Sequence, residues 1–129
     1  MIDFLASSRI LMSSFFEQDT IEVAQGLIGK RLVFSCKDIR LTGIISETEA
    51  YTQEDPACHT FGGHMTPRTQ PMFGCGGTVY IYLIYGMYHC FNIVTEPKGR
   101  GCAVLIRGVI PVEGEDEMRR RRRWLHKRV

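Results

Sequence analysis

The stretch "ISETEAY" sets two carboxylates, Glu47 and Glu49, two positions apart in a run of strand-forming residues. Side chains two apart on a strand share a face, so Ile45, Glu47, Glu49 and Tyr51 are predicted to point the same way. A carboxylate among apolar neighbours loses solvation, which raises its proton affinity and suits it to general-base work. The same spacing also fits a solvated strand face. Glu49, nearer the strand end and beside Tyr51, is the better candidate base. Glu47 is expected to pair with a cation or cap backbone.

Two more polar residues interrupt apolar strands. Arg107 lies in "AVLIRGVI", where a lone guanidinium needs a partner, and Glu49 or Glu47 is the obvious one. Asn92 closes "CFNIV", and its amide also needs partners. Three polar groups in three apolar strands mark a pocket. Beside them, "TVYIYLIYGMYHCFN" holds four of the chain's five tyrosines. Strand parity places Tyr80, Tyr82 and Ile84 on one face and Val79, Ile81, Leu83 and Tyr85 on the other. Aromatic plates lining a pocket can grip a nucleobase by stacking. Tyr85 precedes Gly86, where a turn can lift its ring out as a wedge that fills the place of an extruded nucleotide. The plainer reading packs these rings in the core. It is preferred for Tyr88 and evenly matched for Tyr80.

The elements that must position these groups are legible. The chain of 129 residues fits one domain. "DTIEVAQGLIGK" reads as a helix capped by Asp19, with Glu22 at capping-box spacing and Gly29 ending it. Its apolar face is predicted to be Ile21, Val23, Ala24, Leu27 and Ile28. Strands are predicted over "RLVFSC", over "DIRLTGIISETEAYT", and over 78–85, 87–95 and 101–110. Residues 52–77, dense in Gly, Pro and polar residues, form a long loop, and loops of that length tend to be functional. "VEGEDEMRRRRRWLHKRV" starts a helix, acids first and bases later. The expected class is α+β, with a curved, mainly antiparallel sheet and flanking helices.

Composition narrows the function classes. Hydrophobic content of 44% and charged content of 23% suit a globular domain. No apolar run is long enough to span a bilayer, and the N-terminus lacks a basic start and an unbroken apolar stretch, so neither a membrane span nor a signal peptide is expected. Five cysteines, an odd number without a CxxC pair, read as reduced thiols. Cys58, His59, His64 and Cys75 share the loop, but their spacing is not that of a zinc site, and no metal is expected. Residues 98–129 carry 10 Lys/Arg against 4 Asp/Glu, most of the excess being Arg119–Arg123. A polyanion such as nucleic acid suits that segment, as does a solvated helix end.

Taken together, these stretches resemble the alkylpurine (3-methyladenine) DNA glycosylases of the mammalian type, which also occur in many bacteria. The matching text is "VAQGLIGKRLV", "ISETEAY", "EDPACHTFGG", "TPRTQPMFG", "TVYIYLIYGMYHCFNIVT", "GCAVLIRGVIPVEG" and "MRRRR". The resemblance implies a methylpurine-DNA-glycosylase-like fold, and it implies roles residue by residue. Glu49 matches the acid that deprotonates the attacking water, and Arg107 the arginine that helps hold that water. Tyr51, His59 and Tyr82 match the groups that contact or stack on the flipped base. Asn92 matches the amide that crowds the exocyclic amine of guanine. Tyr85 matches the wedge that enters the duplex.

The implied reaction is hydrolysis of the N-glycosidic bond of alkylated or deaminated purines, the opening step of base excision repair. No cofactor is implied. The implied partner is double-stranded DNA holding a damaged purine, with no membrane and a monomeric protein. Its expected place is the bacterial cytoplasm with the nucleoid, or the nucleus of a eukaryote. This chain departs at Gly76, where the family usually has proline, and at Thr69, where asparagine is common. It ceases to look like the family after about Arg123, where family members continue. Residues 1–129 are therefore expected to form one incomplete glycosylase domain. The alternative is a remnant that binds DNA without releasing a base, or that does not fold stably.

Overall fold

A computed structural model describes residues 9–84 and 88–126. A short turn of helix α1 (Ser13–Phe16) leads into α2 (Thr20–Leu27). Strands β1 (Arg31–Cys36), β2 (Ile39–Tyr51), β3 (Val79–Ile84), β4 (Tyr88–Val94) and β5 (Ala103–Glu113) follow, and α3 (Glu115–His126) comes last. The strands form one antiparallel sheet in the order β1-β2-β5-β4-β3. The chain is thus an α+β domain, as its sequence pattern predicts.

Helix α2 begins where expected. The Asp19 side chain accepts from the Ile21 and Glu22 amides at 3.0 and 3.3 Å, satisfying donors a helix start leaves open. Gly29, at φ 85°, lets the chain turn off the helix and donate to the Ile45 carbonyl at 2.8 Å. The buried face is Thr20, Val23, Ala24 and Leu27, whereas Ile21 and Ile28 lie exposed. Thr20 takes the inner position because its hydroxyl meets Thr95 Oγ1 at 2.9 Å and also bonds the Glu96 carboxylate. Those long-range partners turn the helix toward a polar residue, and Ile28 falls past the last helical residue.

One face of the sheet carries the main core. Ile45, Ile93, Val104 and Ile106 pack against Val23, Ala24 and Leu27 of α2. Each fully buried aliphatic side chain contributes about 1.5–3 kcal/mol. The other face carries Tyr80, Val94 and Ala103, covered by Cys58 and Met72 from the loop over 52–77. That loop folds into turns and two short 3₁₀ segments, Phe61–Gly63 and Gln70–Phe73. Thr60 pins it by donating to the Gly101 carbonyl. Thr69 pins it again, its hydroxyl accepting from the Thr66 amide at 2.9 Å while Thr66 Oγ1 accepts from the Thr69 amide at 3.2 Å.

The β2–β5 ladder shifts register at Thr42/Gly43 and again around Ser46, where the strict alternation predicted for β2 fails. The β2–β5 ladder runs Ile45↔Val109, Glu47↔Gly108, Thr48↔Ile106. Ser46 on β2 and Arg107 on β5 are each skipped, one extra residue per strand. Such bulges change the phase of the pleat. Ile45 therefore joins the α2-side core, whereas Glu49 and Tyr51 turn to the loop side. Gly108 allows the close approach, since a Cβ there would meet Ser46 Oγ at 2.9 Å.

The basic run lies within α3, and three of its arginines pair with acids one turn earlier. Arg119 bonds Glu115 at 2.8 Å, Arg120 bonds Glu117 at 2.6 Å and Arg121 bonds Glu117 at 2.9 Å. All three arginines stay largely exposed in these intrahelical pairs.

Candidate active site

Glu49 stands opposite Leu105 in the β2–β5 ladder, beside the skipped Arg107. The Arg107 Nη1 donates to Glu49 Oε1 at 2.6 Å, and the Tyr51 hydroxyl donates to Glu49 Oε2 at 2.6 Å. Glu47 is a looser partner, its Oε2 3.8 Å from Arg107 Nε. The Tyr51 hydrogen bond, then that from Arg107, holds the Glu49 carboxyl below its usual range, and slight burial does not overcome them. This reverses the expectation from sequence: Glu49 has reduced, not raised, proton affinity. The same bond, with burial adding to it, pushes the Tyr51 phenol up to about 12. Arg107 also differs from expectation, being solvent-exposed rather than buried, because the bulge carries it out of the ladder.

Two cavities flank this ion pair. An open cleft is lined by Gln25, Ile28, Glu47, Thr48, Glu49 and Arg107. A more enclosed cavity of about 220 Å³ has walls that include Tyr51, His59, Met72, Tyr80, Asn92 and Leu105. It lies below the roughly 300 Å³ at which drug-sized pockets begin. Glu49 reaches the cleft directly and the enclosed cavity through Tyr51.

Asn92 is buried, and its Nδ2 donates to the Tyr80 and Cys90 carbonyls, both at 3.2 Å. With both N–H groups engaged by backbone, Oδ1 is the atom it can offer a ligand. His59 has its pKa lowered by burial and secondarily by the Arg68 charge, which favours a neutral ring. Tyr82 is not in the cavity wall. Its ring stacks on His59, with centroids 4.0 Å apart and planes at 34°. The Arg68 guanidinium lies over the Tyr82 ring at 3.8 Å and donates to the Leu83 carbonyl at 2.9 Å.

Of the residues singled out from sequence, Glu49, Tyr51 and Arg107 are in direct contact, and Tyr51, His59 and Asn92 share the cavity wall. Tyr82 stands behind His59, and Tyr85 lies outside the described residues. Tyr88, expected in the core, is exposed, at the last rung of the β3–β4 ladder. Tyr80 is buried. Sequence reasoning missed Arg68, a lone cation in an irregular loop with no period to mark it. It also missed Cys58, Met72 and Leu105, ordinary apolar residues whose place in the wall only the fold reveals. Among the described residues no cluster of His, Cys, Asp and Glu could hold a metal ion.

Comparison with known proteins gives a consistent result. The description of the family whose model matches residues 14–128 is methylpurine-DNA glycosylase, and the match continues beyond Arg123, where the motif resemblance ends. Proteins of Bacillus cereus strains AH187 and ATCC 14579 and Bacillus anthracis strain A0248, each named "Putative 3-methyladenine DNA glycosylase", are 51% identical over 107 residues. The aligned part is 82% of this chain and 52% of each relative, so the chain spans about half the length of the curated relatives it matches. By its family match and these identities, the chain belongs to the methylpurine-DNA glycosylase family.

Proposed function

We propose that this chain carries the catalytic centre of a monofunctional DNA glycosylase. It takes a damaged purine out of duplex DNA and hydrolyses its N-glycosidic bond. The observation that carries the reading is an ionised Glu49, held by Tyr51 and Arg107, between an open cleft and a base-sized aromatic cavity. In this reading the base occupies the cavity, with Tyr51 and His59 against its faces and Asn92 at its edge. The sugar lies toward Glu49. Tyr85 fills the gap left in the duplex, and weaker pairing of damaged bases lowers the cost of flipping.

The bond from the sugar C1′ to the base nitrogen breaks, and its electron pair leaves with the base. A water oxygen bonds C1′, and its proton passes to Glu49 or to solvent. A purine alkylated at N3 or N7 already carries positive charge and departs neutral, so it demands little base strength. The low proton affinity of Glu49 fits that demand. An ionised carboxylate about 4 Å from the developing sugar cation is worth about 4 kcal/mol near a protein surface. Neither cavity wall contains a lysine, which favours hydrolysis over a Schiff-base lyase path.

The test uses the 129-residue protein and a duplex with one 7-methylguanine, hypoxanthine or ethenoadenine. Alkali-labile abasic sites that vanish with Glu49→Gln support the reading. Retarded DNA without base release from the folded wild type would overturn it.

A further inference from the structure

The wall of the enclosed cavity includes Tyr80, whose buried hydroxyl the fold leaves without a partner. Tyr80 is 4% exposed and packs with Cys58, Met72, Val94 and Ala103. Its hydroxyl has no hydrogen-bond partner among the described residues. A buried hydroxyl left unpaired forfeits its hydration with no return, so such a group is rare without a purpose. Several polar groups of the wall are engaged elsewhere, whereas Asn92 Oδ1 stays available beside it. The Tyr51 hydroxyl serves Glu49, both Asn92 N–H groups serve backbone, and Cys58 Sγ meets the Thr60 hydroxyl at 3.1 Å.

We infer that the Tyr80 hydroxyl donates a hydrogen bond to the edge of a purine seated in this cavity, and that it governs which damaged purines are released. The inference rests on the proposed role of the cavity as a base site. Burial, the dominant influence, raises the Tyr80 pKa, so the phenol keeps its proton and remains a donor. Its effect depends on the charge of the leaving base. A cationic alkylpurine departs neutral and gains little from a donor. A neutral deaminated purine such as hypoxanthine departs with negative charge on its ring, and a donor at its edge stabilises that charge. Tyr80 therefore extends the substrate range toward uncharged lesions.

Tyr80→Phe removes the hydroxyl and keeps the ring. In single-turnover release, hypoxanthine excision should fall about tenfold, the scale of one hydrogen bond, while 7-methylguanine excision stays within about twofold. The melting temperature should hold or rise, because an unpaired buried hydroxyl is gone. Equal losses on both bases, or a lower melting temperature with unchanged selectivity, would overturn the inference. If the wild type releases neither base, the catalytic reading fails separately. Binding of free hypoxanthine, followed by NMR of labelled tyrosine rings, then decides. Binding weakened about tenfold by Tyr80→Phe upholds the Tyr80 contact, and equal or absent binding refutes it.

Discussion

The two faces of the sheet obey different rules. On the α2 side, Val23, Leu27, Ile45, Ile93, Val104 and Ile106 bury side chains without a polar atom among them. On the loop side, a hydroxyl goes unpaired, an ion pair stays half in water and a cavity remains open. The first face holds the fold together. The second gives up close packing around those polar groups. Burial alone does not separate them, since Leu27 and Tyr80 are both buried. What separates them is whether every polar group has found its partner.

That contrast can be broken at several places. The largest effect should come from Glu49→Gln, which keeps shape and removes charge. Base release should fall by about 10²–10⁴-fold, while the thermal midpoint stays close to wild type. A melting curve that collapses would make Glu49 a structural residue. Next is Leu27→Ala on the opposite face, which should cost about 2–5 kcal/mol of stability, read by denaturant titration. The fraction still folded should release bases at the wild-type rate. A lower rate per folded molecule would mean that the faces are coupled.

A smaller effect, in pH rather than rate, is expected for Tyr51→Phe. The folded pKa of Glu49 is depressed from 4.5, chiefly by the Tyr51 hydrogen bond. Wild-type activity should therefore persist as pH falls through 4.5 and be lost only below it. Whatever stability the pair gives is present above the ordinary carboxylate range and disappears as pH drops through the lowered value. Removing the hydroxyl should move the acid limb upward, and an unmoved limb would show that another group sets it. Smallest is Arg68→Ala, which frees the Tyr82 ring from a cation worth about 0.5–1 kcal/mol at an exposed site. Damaged-duplex binding should weaken by that amount with little change in undamaged binding. Equal weakening of both would make Arg68 a phosphate contact instead.

Much of the scaffold was legible because it rests on local signals. The β-branched runs marked the strands, and Asp19 and Gly29 marked the ends of α2. The pairing of Arg107 with Glu49 followed from the need to partner a lone cation. What sequence could not supply depends on contacts far apart in the chain. Thr20 turned α2 inward because of Thr95 and Glu96. The direction of the Glu49 shift depended on two donors outweighing burial. The face taken by Ile45 depended on two skipped residues in strands that meet only after folding.

Those two skips offset each other. Ile44 faces Ile110 before them and Glu49 faces Leu105 after them, with the same pairing arithmetic as an uninterrupted ladder. The junction acts like an expansion joint. Distortion at this corner is contained between Ile44 and Glu49, where the pairing sum returns to its earlier value. A single 13-residue strand can thus seat Ile45 in the hydrophobic interior with one half and hold Glu49 against Tyr51 and Arg107 with the other.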